Sequence, residues 1–464
     1  MGVDYAKGFW WGMLGGGVGV VGWLWFSFDP IFLPSHGVIL GLLPLLWLLT
    51  VGHIKWLQPD LEAFTPKNIM LFVWLNKLVM VPIELILIGN KTLLLNPLNT
   101  PPFIEVTIIG LSFLAFIIGW RWHTTSDTLL PQSGGSFSGN GTRWAIVYLS
   151  IGLVSLLFLY GSLYRYISGA LFSYTTQLIM EDAADSLWGF LANIGQRFWP
   201  FGVILAWYVW RWYYPHLKAW YWHFPWLVCC LGGSLSSNRL NMLYPLLAFL
   251  SIMAAGWKMR YKWLWVCGAM LLIAAAIFFG FLRVQPSLNA QHVGELWEAY
   301  LTDDDYLWYA HQLYFGSPYQ ITPLLPLSPQ VSTFWASVLD PVPILGKNFR
   351  EQSGPFVYNM ALYGHTLAQD KVIPMAGELY LNGGYGMVFL GHLIFGKTYC
   401  YLDGVFKKNV ALNPPVAAAF FYLALLLNAT LLQSLSVLVQ LLIYNAPPAL
   451  CLIAANWWYH RKRS

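Results

Sequence analysis

Runs of about twenty apolar residues recur along this chain, each long enough to cross the hydrocarbon core of a bilayer as a helix. Residues 69–89, 103–120 and 144–162 are clear examples. In hydrocarbon every backbone N–H and C=O must be bonded within the protein, so such a chain can become a helix bundle or a closed barrel. Barrel strands alternate apolar and polar residues in pieces of about ten. These runs are continuously apolar, which excludes the barrel. Charged residues make up only 10% of the chain and hydrophobic residues 58%, against about 25% charged in soluble domains. The expected fold is therefore all-α, a polytopic integral membrane protein with one long extracytoplasmic loop.

We read about twelve spans from windows of this length: 8–28, 31–50, 69–89, 103–120, 144–162, 199–214, 222–237, 240–256, 263–282, 384–403, 415–433 and 435–456. The chain then divides into an N-terminal bundle (1–282), a large outer loop with short helices (283–383) and C-terminal spans with a basic tail (384–464). Lys and Arg gather on the cytoplasmic side of membrane proteins. Placing both termini inside puts Lys258, Arg260, Lys262, Lys407, Lys408 and Arg461-Lys462-Arg463 on that side. The long loop then faces the periplasm or exterior. The 26 Trp and 26 Tyr suit interfacial belts or sugar-stacking surfaces. The net charge of +5 is no nucleic-acid signal, and the five cysteines all lie in apolar segments. Gly15, Gly16, Gly17, Gly19 and Gly22 read as close helix packing. Without a Gly-Lys-Ser/Thr sequence they are no phosphate loop.

The loop holds most of the residues that could do chemistry. Arg239, Arg283, Lys347 and Arg350 fall on the outer face, which should be poor in positive charge. Each one alone could snorkel to lipid phosphates. Together they fit an anionic, lipid-linked substrate, because a guanidinium fork matches a diphosphate. Glu378 and His365 are the acid/base candidates. Glu378 could equally cap a helix or pair with an Arg, and His365 stands alone in its stretch. Asp303-Asp304-Asp305, with Glu295 and Glu298, is either a cation site or a solvated turn. Lys77 and Glu84 lie seven apart in span 69–89, on one helix face. They form a structural pair or part of a lipid pathway.

Three stretches carry a family resemblance: Gly233-Ser-Leu-Ser-Ser-Asn-Arg239, Leu339-Asp-Pro-Val-Pro-Ile-Leu-Gly-Lys347, and Pro374-Met-Ala-Gly-Glu-Leu-Tyr-Leu-Asn-Gly-Gly-Tyr-Gly-Met-Val-Phe-Leu-Gly391. Over roughly 230–400 the chain resembles the Wzy-type polymerases of O-antigen and exopolysaccharide repeat units. The resemblance implies a multi-pass enzyme of the bacterial inner membrane that acts on undecaprenyl-diphosphate oligosaccharides and lengthens them by transfer to a sugar hydroxyl. It implies functional roles for Arg239 and Glu378 and sugar contacts for Tyr380 and Asn382, with no cofactor and no metal. A flippase and a chain-length regulator of the same pathway would be partners. An O-antigen ligase shares this architecture. A polysaccharide or lipid transporter and a non-catalytic scaffold are the readings from other classes. Few charges lie inside the spans and the polar material gathers on one face, which favours an enzyme.

Overall fold

The structure is a computed structural model that describes residues 34–53, 65–91, 101–121, 141–162, 186–214, 223–232, 239–254, 304–343, 345–364 and 373–461. Among these residues the protein is 86% helical, with no strand. The helices divide between two compact units. One comprises Met1–Thr124, Asp303–Tyr401 and Leu427–Gln440; the other comprises Thr125–Thr302, Leu402–Leu426 and Leu441–Ser464. This division differs from the linear one expected above. Most of the stretch 283–383 belongs to the same unit as residues 1–124.

In the first unit, α1 is Pro34–His53. Helix α2, Pro66–Leu75, starts where Thr65 accepts a hydrogen bond from the Asn68 amide and Pro66 occupies the first turn. It runs through a π-helical segment, Asn76–Met80, into α3, Val81–Ile88, which stops at Gly89 with φ 86°. Helix α4 is Phe103–Arg121. Trp74 of α2 packs against Phe113 and Phe116 of α4, with ring centroids 5.1 and 5.5 Å away.

The second unit begins with α5, Gly141–Tyr160, followed by α6, Leu187–Gly195, and α7, Phe198–Tyr213. Helices α5 and α7 meet through glycines. A Cβ on Gly152 would lie 2.8 Å from the Trp199 nitrogen, and one on Gly202 would lie 2.9 Å from the Leu149 nitrogen. Small residues of this kind let helix backbones approach within membranes. Ile146, Val147, Val154 and Phe158 on the other side of α5 are exposed, a face suited to lipid. Helices α8, Phe224–Gly232, and α9, Arg239–Ala254, complete this part.

The stretch 304–363 folds as α10, Asp304–Phe315; α11, Val331–Leu339; and α12, Gly354–Tyr363, joined by short 3-10 turns. One side chain of α10, Gln312, closes the end of α3. Gln312 accepts from the Lys91 amide (2.9 Å) and donates to the Gly89 carbonyl (3.0 Å), satisfying backbone groups left open where α3 ends. Helix α13, Met375–Asn409, is interrupted at Gly383 and Gly384, where Gly384 has φ 65° and ψ −156°. That conformation is open to glycine alone. After the break α13 crosses α4 so closely that a Cβ on Gly119 would lie 2.0 Å from the Leu393 oxygen, and one on Gly396 would lie 2.1 Å from the Phe116 oxygen. The chain ends in α14, Pro414–Leu432; α15, Leu435–Tyr444; and α16, Pro447–Arg461.

Three described helical stretches are long and apolar enough to cross a membrane: Pro66–Ile88, Phe103–Arg121 and Gly141–Tyr160. A fourth appears if α15 and α16, bent by 58°, count as one span. By length and composition this is a multi-pass membrane protein. The expected spans 8–28 and 263–282 lie outside the described residues. Expected spans 199–214 and 240–256 correspond to helices of 16 residues, Phe198–Tyr213 and Arg239–Ala254, and 222–237 to Phe224–Gly232, with residues 233–238 and 255–256 outside the described ones.

Candidate active site

A buried polar seam runs between α11 and the first turns of α13, both in the first unit. Thr333 and Ser337 lie four apart on α11, so they share a face, and Asp340 follows at the helix end. Glu378 and Asn382 are likewise four apart on α13, and both are fully buried. The Thr333 hydroxyl donates to Asn382 Oδ1. The Gln330 amide donates to the Leu381 carbonyl at 2.8 Å, fixing the register of the two segments.

One turn along, Ser337 Oγ accepts from the Gly354 amide at 2.8 Å. Its own proton is then free to bond the Glu378 carboxyl. Glu378 Oε2 also accepts from the Leu435 amide. The adjacent Ser436 hydroxyl lies 2.9 Å from the Ser337 carbonyl and 3.2 Å from Asp340 Oδ2. Asp340 Oδ1 in turn meets Arg350 Nε at 3.3 Å. Hydrogen bonds thus connect a fully buried carboxyl to a guanidinium whose side chain is 58% exposed.

Burial pushes the Glu378 carboxyl up to about 7, and the nearby Asp340 charge adds to that; the bonds from Ser337 and Leu435 work the other way. Glu378 Oε1 has no hydrogen-bond partner among the described residues. It lies against Gly354, where an added Cβ would sit 2.5 Å from it. The glycine therefore makes the space this carboxyl occupies.

The other expected residues divide clearly. Lys347 is exposed, in the 3-10 turn Gly346–Asn348. Gly346 packs that turn onto the end of α11, since its Cβ would be 1.9 Å from the Asp340 carbonyl oxygen. Tyr380 is half-buried and meets exposed Tyr385 edge to face, with centroids 5.3 Å apart. Asn382, expected to contact sugar, has its Oδ1 committed to Thr333 inside the protein. Arg239 opens α9 in the second unit. Arg283 and His365 lie outside the described residues. So the structure brings Glu378, Asn382 and Arg350 into one seam, with Lys347 on the turn just before Arg350. It adds Ser337, Asp340 and Ser436, which the sequence did not single out.

A second polar cluster sits where α10 meets α2 and α3. Asn76 Nδ2 donates to the Phe72 carbonyl at 2.7 Å, which turns its Oδ1 toward His311 Nε2, 2.9 Å away. That ring nitrogen must therefore carry a proton. His311 Nδ1 lies 2.8 Å from Glu84 Oε1 and 3.0 Å from Oε2, so a single proton joins the pair. Glu84 is thus paired with His311, a residue the sequence did not suggest. Buried Lys77 places its ammonium 5.9 Å from the Trp74 ring centroid.

Among the described residues no group of three or more His, Cys, Asp or Glu is placed to hold a metal ion. Of the acidic run, Glu295, Glu298 and Asp303 lie outside the described residues. No protein family, curated protein or solved structure matches this chain.

Proposed function

We propose that the protein transfers glycan from an undecaprenyl-diphosphate carrier to a sugar hydroxyl of an acceptor, at the outer face of a bacterial inner membrane. The carrying observation is the rim of the polar seam. Arg350 is tethered to Asp340 through Nε alone, which leaves its exposed terminal nitrogens able to grip a diphosphate. Such a grip neutralises charge that builds on the leaving diphosphate as the glycosidic bond forms. Behind it, Ser337, Ser436 and Glu378 hold the rim in one geometry. The segment bearing Glu378 is also the one that most resembles Wzy-type polymerases. Lys347, on the turn before Arg350, adds positive charge at the rim. Arg239 remains a proposed participant on the resemblance, and Arg283 and His365 on their expected outer-face placement.

The test is reconstitution of the purified chain in liposomes with undecaprenyl-diphosphate-linked repeat units. Products that grow by whole repeat units support a polymerase. Transfer only to a core oligosaccharide makes the protein a ligase. Movement of intact lipid-linked units across the bilayer, with no new glycosidic bond, makes it a transporter and overturns the enzymatic reading.

A further inference from the structure

We infer that Asp340, rather than Glu378, takes the proton from the attacking sugar hydroxyl, and that Ser436 positions it for this. The inference rests on the transfer reaction proposed above and names the group that performs its proton transfer.

Access comes first. A base must come within hydrogen-bond reach of the proton it takes. Glu378 is fully buried, one oxygen bound by the Leu435 amide and the other pressed against Gly354. No substrate hydroxyl reaches it without opening the junction of α11, α12 and α13. The Asp340 side chain is 18% exposed and lies at the open end of the same network.

Free valence comes second. A carboxylate offers about four lone-pair sites. Asp340 uses one on Arg350 at 3.3 Å and one on Ser436 at 3.2 Å, both long contacts. Capacity is left on both oxygens.

Charge comes third. Asp340 faces the Arg350 guanidinium from its own side and the Glu378 carboxyl from α13. The same guanidinium that pairs with Asp340 is the one proposed to hold the diphosphate. In the reaction, the acceptor O–H proton passes to an Asp340 oxygen while the hydroxyl oxygen bonds to the anomeric carbon. The bond from that carbon to the diphosphate breaks, and its electron pair leaves with the phosphate oxygen beside Arg350. Asp340 then returns the proton to solvent.

A purely structural role for Asp340 predicts something different, because an exposed ion pair stabilises a fold by only about 0–1 kcal/mol. Asp340→Asn keeps an acceptor for Arg350 and a partner for Ser436 but cannot take a proton. In the reconstituted assay, kcat of D340N should fall about a hundredfold or more, with KM for the lipid-linked donor within threefold of wild type. The acid limb of the pH–rate profile should disappear. Glu351→Gln, at an exposed carboxylate on the adjacent turn, should leave all three unchanged. Ser436→Ala removes a hydrogen bond to the ionised form of Asp340, so the acid limb should move to higher pH. This variant carries the test if D340N does not fold. The inference is overturned if D340N keeps kcat within threefold, if its loss falls on KM alone, or if S436A leaves the acid limb in place. A wild-type protein that forms no glycosidic bond overturns the transfer reading and this inference with it. A wild type that forms polymer beside an unimpaired D340N overturns this inference alone.

Discussion

Replacing Glu378 by Gln should change how stability depends on pH. The carboxyl is fully buried, and in the folded protein it is pushed up to about 7 from an ordinary 4.5. Below pH 4.5 it is protonated in both folded and unfolded chains and contributes no pH dependence. Between 4.5 and 7 the folded chain holds a proton that the unfolded chain releases, so stability falls as pH rises. Each unit of difference corresponds to about 1.4 kcal/mol, so the full window costs about 3 kcal/mol and is spent by pH 8. Gln keeps a carbonyl oxygen for the Leu435 amide and does not titrate. Wild type should therefore lose about 3 kcal/mol relative to E378Q between pH 4.5 and 8, or about 6–12 °C in melting temperature for a unit of this size. Thermal melts of both proteins in one detergent, stepped across that range, read the difference directly. Parallel curves over the whole range would refute the reasoning and mean that water or a local opening reaches this carboxyl.

Gly354→Ala would drive a Cβ to within 2.5 Å of Glu378 Oε1 and 2.8 Å of its Cγ. It should destabilise by about 1–3 kcal/mol, measured by the same melts, with a smaller loss in the E378A background, where the clash is gone. At the α4–α13 crossing, Gly119→Ala and Gly396→Ala each place a Cβ about 2 Å from a backbone oxygen that cannot turn away. Each should lower the yield of folded, monodisperse protein, whereas Gly37→Ala, with open space around it, should not. Glu84→Gln and His311→Gln should each cost about 1–3 kcal/mol by leaving a largely buried polar partner without its hydrogen bond. Their double mutant should cost clearly less than the sum. Full additivity would mean the pair is not coupled.

The membrane character was legible because it rests on composition within each window, which needs no knowledge of the fold. Helix limits were less so. Nothing in the apolar run 435–456 marks the 58° bend between Tyr444 and Pro447 except the proline pair itself. The face shared by Lys77 and Glu84 was inferred from seven-residue spacing in a regular α-helix. The π-helical segment Asn76–Met80 underwinds the chain between them, so Glu84 turns to His311 and Lys77 to the Trp74 ring. A π-turn is stabilised by tertiary partners, here Asn76 bonding both Phe72 and His311, 235 positions away. The sequence therefore held the right charged residues but not the partner, His311, that Glu84 meets.

The polar seam follows the same logic. Glu378 and Arg350 stood out because a carboxyl and a guanidinium are rare in this chain. Ser337, Asp340 and Ser436 did not, because serines and an Asp before Pro341 are ordinary at helix ends. Their meaning comes from contacts 96 and 99 positions apart in sequence, which bring Ser436 onto Asp340 and the Ser337 carbonyl. A buried carboxyl in such a place requires hydrogen-bond donors from elsewhere in the chain. Glu378 draws one from the Leu435 amide, 57 positions on. In the proposed transfer, a carboxyl buried in this way leaves the substrate to another group, and Asp340, at the rim of the same network, is the one we propose.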